Sequence, residues 1–313
     1  MTGPPATGRG GDLPALPDGW TVVRTWGPLS FTTHALLRRP DGTEVEWSSR
    51  RHRKGLGLRR PDGHRLRAVE GRWGGRPQAS SWWMGGLFAF GSVCFALGSV
   101  PLFFDHVDGS VVAATFFVGS LAFTAAAAVQ YHEAARAPEG VLPDSARPGL
   151  RHLVRWKPHR LDWWASAVQL VGTVLFNVST FAATRADLDA EQVRRLVWAP
   201  DVYGSVCFLV ASGMAWSEVN RGVRPRPDGS VGWRIGLVNL VGSIAFGVSA
   251  VAARIVTTTG EPANITLVNL GTFVGAVGFL VGAVLLPVES AADGDAAPSS
   301  SPRTGDDALR RRS

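Results

Sequence analysis

The chain has 313 residues, 45% of them hydrophobic, two cysteines, and 32 Lys and Arg against 25 Asp and Glu, a formal surplus of seven positive charges. Two cysteines exclude a disulfide framework. The mean hydropathy of +0.09 averages two solvents, because a polar region of about 80 residues and a polar tail dilute long apolar stretches.

Residues 1–18 are rich in Gly, Pro and Ala and predict disorder. From Trp20 the composition turns to Thr, Val and aromatics, and 20–26, 31–37 and 43–49 read as short strands. The run from Leu37 to Gly42 (Leu-Arg-Arg-Pro-Asp-Gly) recurs from Leu58 to Gly63. Pro presets φ and Gly accepts a positive one, so each copy predicts a turn and the pair predicts two β-hairpins. The result is a small basic β-rich domain over 19–76. It is near the lower size limit for independent stability and is expected to lean on the membrane or a partner.

Before residue 82 there are 14 Lys and Arg against seven Asp and Glu, so this head carries the surplus of the whole chain. Its densest part is Arg50, Arg51, Arg53, Lys54, Arg59 and Arg60. Close to a bilayer in sequence, these six are candidate contacts for anionic headgroups. The other readings are a topology determinant with a solvated face, or a surface for an acidic protein. Nucleic acid is the least supported partner, since no recognised binding module accompanies the charge.

Six apolar stretches follow, near 82–104, 111–131, 163–184, 198–217, 232–253 and 265–287. At about 1.5 Å per residue each spans about 30 to 35 Å, the thickness of a hydrocarbon core. No charged side chain lies between Trp82 and Phe104, which a soluble amphipathic helix does not tolerate. They divide into hairpins over 77–135 and 162–219 and a third within 220–290, with a basic loop at 136–161 and a disordered tail at 291–313. The fold class is an all-α polytopic membrane protein behind a small β-rich head.

With the N-terminus cytoplasmic, all Lys and Arg but Arg185, Arg194, Arg195 and Arg254 fall on the cytoplasmic side. The positive-inside rule then places both termini in the cytoplasm of a bacterial plasma membrane. Trp82, Trp83, Trp163, Trp164, Trp216 and Trp233 gather at the same interface, where indoles are comfortable.

The odd helices share Trp-x8-Gly-[Ser/Thr]-[Val/Ile]-x-Phe, with glycines Gly91, Gly172 and Gly242. The even helices share Gly-[Ser/Ala]-x-x-Phe-x9-Glu: Gly119, Phe123 and Glu133; Gly204, Phe208 and Glu218; Gly275, Phe279 and Glu289. Such equal spacing points to internal duplication and a compact bundle with threefold pseudosymmetry. Gly, the Phe four residues on and the Glu 14 residues on fall on one stripe of a helix. A small-residue stripe is how helices approach in lipid, so the six glycines predict packing seams, with a Gly-lined path as the alternative. Glu133, Glu218 and Glu289 are candidate interfacial carboxylates. They are expected to pair with Arg or a helix N-terminus, the alternative being a ring that attracts cations.

Hairpins whose two helices each carry Gly-Ser-x-x-Phe resemble the YrhK-like family of small bacterial membrane proteins, here three in tandem over about two thirds of the chain. The resemblance implies no activity and no site residues.

Asn177, Asn239, Gln169, Ser179 and Ser249 are the deep polar residues of the odd helices, expected to hydrogen-bond across helices. Cys94 and Cys207 read as small apolar fillers. No nucleophile elbow, phosphate-binding Gly-Lys loop or metal-ligand spacing occurs, so an enzyme and a cofactor are not expected. The expectation is a non-enzymatic scaffold whose head meets anionic lipid, a protein partner or another copy. The alternative is a small channel or transporter.

Overall fold

The computed structural model describes residues 13–55, 57–61, 77–142, 156–256 and 261–295, with 77–79 and 292–295 described by backbone alone. Three antiparallel strands form one sheet in the order β1 (Thr21–Trp26), β2 (His34–Arg38) and β3 (Glu44–Ser48). The Pro40-Asp41-Gly42 turn joins β2 to β3. The Gly42 amide donates to the Arg39 carbonyl at 3.0 Å, Asp41 Oδ1 accepts from the Thr43 amide at 2.9 Å, and Gly42 adopts φ 83°, a value that favours glycine.

Only the first part of the motif's second copy falls within the described residues. Arg59 exchanges two backbone hydrogen bonds with Glu46, at 2.7 and 3.0 Å, and so extends the free edge of β3 by a single bridge. Residues 62 and 63, where the second copy predicts its turn, lie outside the described residues; the sheet itself is two successive hairpins, β1 with β2 and β2 with β3.

Alternation along β3 turns Val45 and Trp47 inward, where they meet Ala35, Leu37 and Leu58. Val141, from the loop after the second long helix, completes that core. The Ala15 amide donates to the Glu139 carbonyl and the Val141 amide to the Ala15 carbonyl, at 2.9 and 3.0 Å. The support that a small sheet needs therefore comes from the chain's own bundle.

Helix α1 (Ser49–Arg53) follows β3 directly, with Ser48 as its N-cap. The long helices are α2 (Pro77–Gly98), α4 (Gly109–Arg136), α5 (Leu161–Ala183), α7 (Ala199–Val219), α8 (Val231–Ala252) and α9 (Ile265–Asp295), with short α3 (Pro101–Phe104) and α6 (Ala190–Gln192) at the far end. All six long helices are apolar and long enough to cross a membrane, α6 and α7 counting as one. A π-helical turn, Val193–Trp198, joins α6 to α7, and the Ala199 amide reaches back to the Arg194 carbonyl. Pro200, the next residue, has no N–H for the Leu196 carbonyl and crowds it, so the helix widens here. Helix α9 continues five residues beyond the expected boundary at 290. Ser290 hydrogen-bonds Ser81 of α2 at 2.6 Å, which anchors that last turn.

Each long helix packs on two neighbours in the closed order α2, α4, α5, α7, α8, α9 and back to α2. Within every hairpin two glycines meet: Gly91 with Gly119, Gly172 with Gly204, Gly242 with Gly275. A Cβ on Gly91, Gly172 or Gly242 would stand 2.9, 3.1 or 3.0 Å from the partner glycine's carbonyl oxygen. The notches are filled from the side by cysteine in two cases, Cys94 Cβ against Gly119 and Cys207 Cβ against Gly172.

Close approach turns six phenylalanines onto the axis. Phe95, Phe176 and Phe246 form one triangle, with ring centroids 5.9 to 6.3 Å apart. Phe123, Phe208 and Phe279 form a second, at 5.5 to 6.2 Å. Each hairpin links the two through its own pair, at 5.2 to 5.8 Å. All six rings are buried, and most of these pairs meet edge to face, the arrangement ring quadrupoles prefer.

Gly91→Ala is expected to cost about 1 to 3 kcal/mol, because the new methyl meets the Phe123 ring and the Gly119 carbonyl. Gly86→Ala, on the same helix with open space around it, should change stability by less than about 0.5 kcal/mol. Unfolding of the two variants side by side in detergent checks both.

Candidate functional site

At the head end of the bundle the stripe that carries Gly and Phe ends in carboxylates. Glu133 of α4, Glu218 of α7 and Glu289 of α9 come together there with Asp162, which stands in the first turn of α5. Helix α1 leaves the sheet and lies across this mouth. Arg50 forms a two-pronged pair with Glu289, Nε donating to Oε1 at 2.7 Å and Nη2 to Oε2 at 2.8 Å. Lys54 donates to the same carboxylate. Arg53 reaches the other two hairpins: Nη1 lies 3.0 Å from Asp162 and 3.8 Å from Glu218, and Nε lies 3.7 Å from Glu133. Ser49 donates to Glu218. Arg160 completes the set with a two-pronged pair to Asp162, at 3.0 and 2.7 Å.

Four carboxylates thus face four cations, and one short helix binds all three hairpins. Asp162 has no exposed side-chain surface and Glu218 only 3%, so at these two charge is held by partners and not by water. Burial opposes the charge of Arg50 and Arg53, but the surrounding carboxylates outweigh it and hold both guanidiniums above their ordinary range. For Lys54 burial prevails over Glu289, and its amine is pulled down.

Arg50, Arg53 and Lys54, expected at anionic headgroups, therefore lie against protein carboxylates; the reason is that the mouth offers fixed anions at ion-pair distance. Arg51 and Arg59 line a cavity beside the head, and Arg60 is exposed. The three glutamates gather at one mouth, each within 4 Å of an arginine of α1. Asp162 and Arg160 were not singled out from sequence. The signal was present, because Asp162 immediately precedes the repeat Trp163 at the place where the other repeats carry Ser81 and Gly232.

Beneath α1 lies a chamber of about 90 Å³, lined by Arg53, Glu133, Asp162, Gln130, Gln169 and Asn239 among others, with Phe88 and Phe279 at its apolar end. Space of that size admits a few water molecules. A second cavity, of about 420 Å³, lies between the sheet and the start of α8.

Deeper polar groups bond across helices. Asn177 donates to Thr124 at 2.9 Å, Ser120 meets Thr180 at 2.8 Å, and Ser249 meets Thr272 at 2.8 Å. Gln130 donates to Gln169 at 3.4 Å, and Ser179 to the Val197 carbonyl at 2.8 Å. The Asn239 side-chain amide lies over Gly282, and its Oδ1, like that of Asn177, is buried without a hydrogen-bond donor among the described residues.

The chain matches no family model, no curated protein and no solved structure.

Breaking the buried pair is expected to cost far more than breaking a surface one. Glu289→Gln leaves Arg50 and Lys54 facing a neutral amide and should lose about 3 to 5 kcal/mol. Glu44→Gln, which releases an exposed pair with Arg38, should lose less than about 1 kcal/mol. Chemical unfolding followed by tryptophan fluorescence separates the two.

Acid should loosen the head. Burial first, and Arg221 second, lower His34 to about 3, and burial with Arg160 lowers His52 to about 4. The unfolded chain takes up these protons near pH 6.5, whereas the folded head refuses them until pH 3 to 4. Stability is therefore complete above pH 6.5 and falls as pH drops through that window, by up to about 1.4 kcal/mol per unit for each histidine. Unfolding midpoints between pH 7 and 4.5 check the slope, which His52→Gln should reduce.

Proposed function

We propose that this is a non-enzymatic membrane scaffold: a rigid, closed ring of six helices in a bacterial plasma membrane, with both chain ends in the cytoplasm and a basic head fixed over the inner mouth. The observation that carries this reading is the pair of phenylalanine triangles on the axis. Six buried rings at van der Waals contact leave no space there for a hydrated ion, and a conduit needs a continuous wet path. A ring with neighbours on both sides has no loose helix, which suits a platform. The distribution of Lys and Arg supports the orientation.

The head's outward side, including exposed Arg60, is the surface we assign to anionic headgroups or to an acidic protein partner. The recurring Gly-Ser-x-x-Phe hairpin supports kinship with the YrhK-like family and descent of the three hairpins from one. The chamber, lined by three carboxylates, favours a second reading, a closed path for a small cation.

Reconstitution in vesicles decides between them. The intact protein is expected to pass K⁺ and protons no faster than protein-free vesicles under an imposed gradient. Flux above that background would overturn the scaffold and leave the cation path.

A further inference from the structure

We infer that α1 is a removable plug, and that Arg50 is the gate between the cavity beside the head and the chamber inside the bundle. The two spaces share Arg50 and Glu218 as lining residues. The outer one is reached from solvent, since its wall includes the exposed residues Asp228, Gly229 and Ser230. On the other side of Arg50 lie Arg53, Lys54 and three of the four carboxylates. A guanidinium locked on Glu289 by two hydrogen bonds therefore stands as a wall one side chain thick.

The chemistry of the contact suits release. Ion pairs and hydrogen bonds join α1 to the bundle. A buried pair gains little over well-packed apolar side chains, because each charge loses its hydration. A cap that only had to hold would resemble the phenylalanine triangles beneath it. Charges that regain water when they separate make docking a small difference between large terms, and hence reversible.

Withdrawal also changes the sign of the mouth. Docked, four cations balance four carboxylates; undocked, Glu133, Asp162, Glu218 and Glu289 keep, of those four cations, Arg160. The exposed chamber then attracts small cations, whose place the α1 side chains hold in the docked state.

Full-length protein with Cys94→Ala, Cys207→Ala and Gln169→Cys places one thiol in the chamber. In detergent it is treated with a positively charged methanethiosulfonate and with a neutral one of similar size. With the native α1, modification should be slow. Arg50→Gln should speed the cationic reagent at least ten-fold and the neutral one less, and Arg50→Lys should restore most of the protection.

An unchanged rate in a folded Arg50→Gln protein, or equal acceleration of both reagents, would overturn the plug. Should Arg50→Gln fail to fold, Lys54→Gln, which removes the second cation from Glu289, serves instead with both reagents. It should speed the cationic reagent more than the neutral one, and no acceleration counts against the plug. Vesicle flux in the intact protein would remove the scaffold reading and leave this result untouched.

Discussion

Lipid tails are as apolar as leucine, so helices in a bilayer gain nothing from leaving them and must be held by contact itself. Here the contact is between backbones. Where Gly91 meets Gly119, Gly172 meets Gly204 and Gly242 meets Gly275, a carbonyl oxygen occupies the volume a side chain would need. That separation sets the radius of the ring, and the radius determines that phenylalanines one turn further on reach the axis and touch. A wider hairpin would leave a hole between the rings, and a hole has no partner atoms for its lining.

The same stripe leads to the glutamates, and there the logic changes from contact to charge. Three hairpins present similar mouths, but there is one head, so the ligand of the ring is asymmetric. Glu289 takes Arg50 and Lys54, whereas Arg53 is shared among Asp162, Glu133 and Glu218. Asp162 breaks the symmetry, because Ser81 and Gly232 stand at the matching places. Its buried carboxylate has the closest contact with Arg53 and so orients α1. The loop after α4 fixes the other side of the head through His52, whose ring nitrogen lies 3.1 Å from the Pro138 carbonyl, and through Val141 in the sheet's core.

Much of the architecture was legible because membranes impose simple rules. Span length and the small-residue stripe each follow from a single helix in lipid, and the six long apolar helices lie where the apolar stretches do. The Pro40-Asp41-Gly42 turn was legible for a similarly local reason. That Arg59, in the motif's second copy, borders β3 was not, since this depends on which edge of the sheet is free. The lipid reading of Arg50, Arg53 and Lys54 went astray for the same kind of reason: charge and nearness to the membrane identify a basic patch but not which anions it meets.

The sequence alone determined six helices apolar and long enough to cross a bilayer, with a glycine on each where the hairpins close, because those properties depend on neighbours within a turn or two. Only the tertiary structure decided that the six phenylalanines share one axis and that α1 fills the carboxylate mouth. Contacts such as Arg50 with Glu289, 239 residues apart, require the ring to close first, and closure is a property of all six helices together.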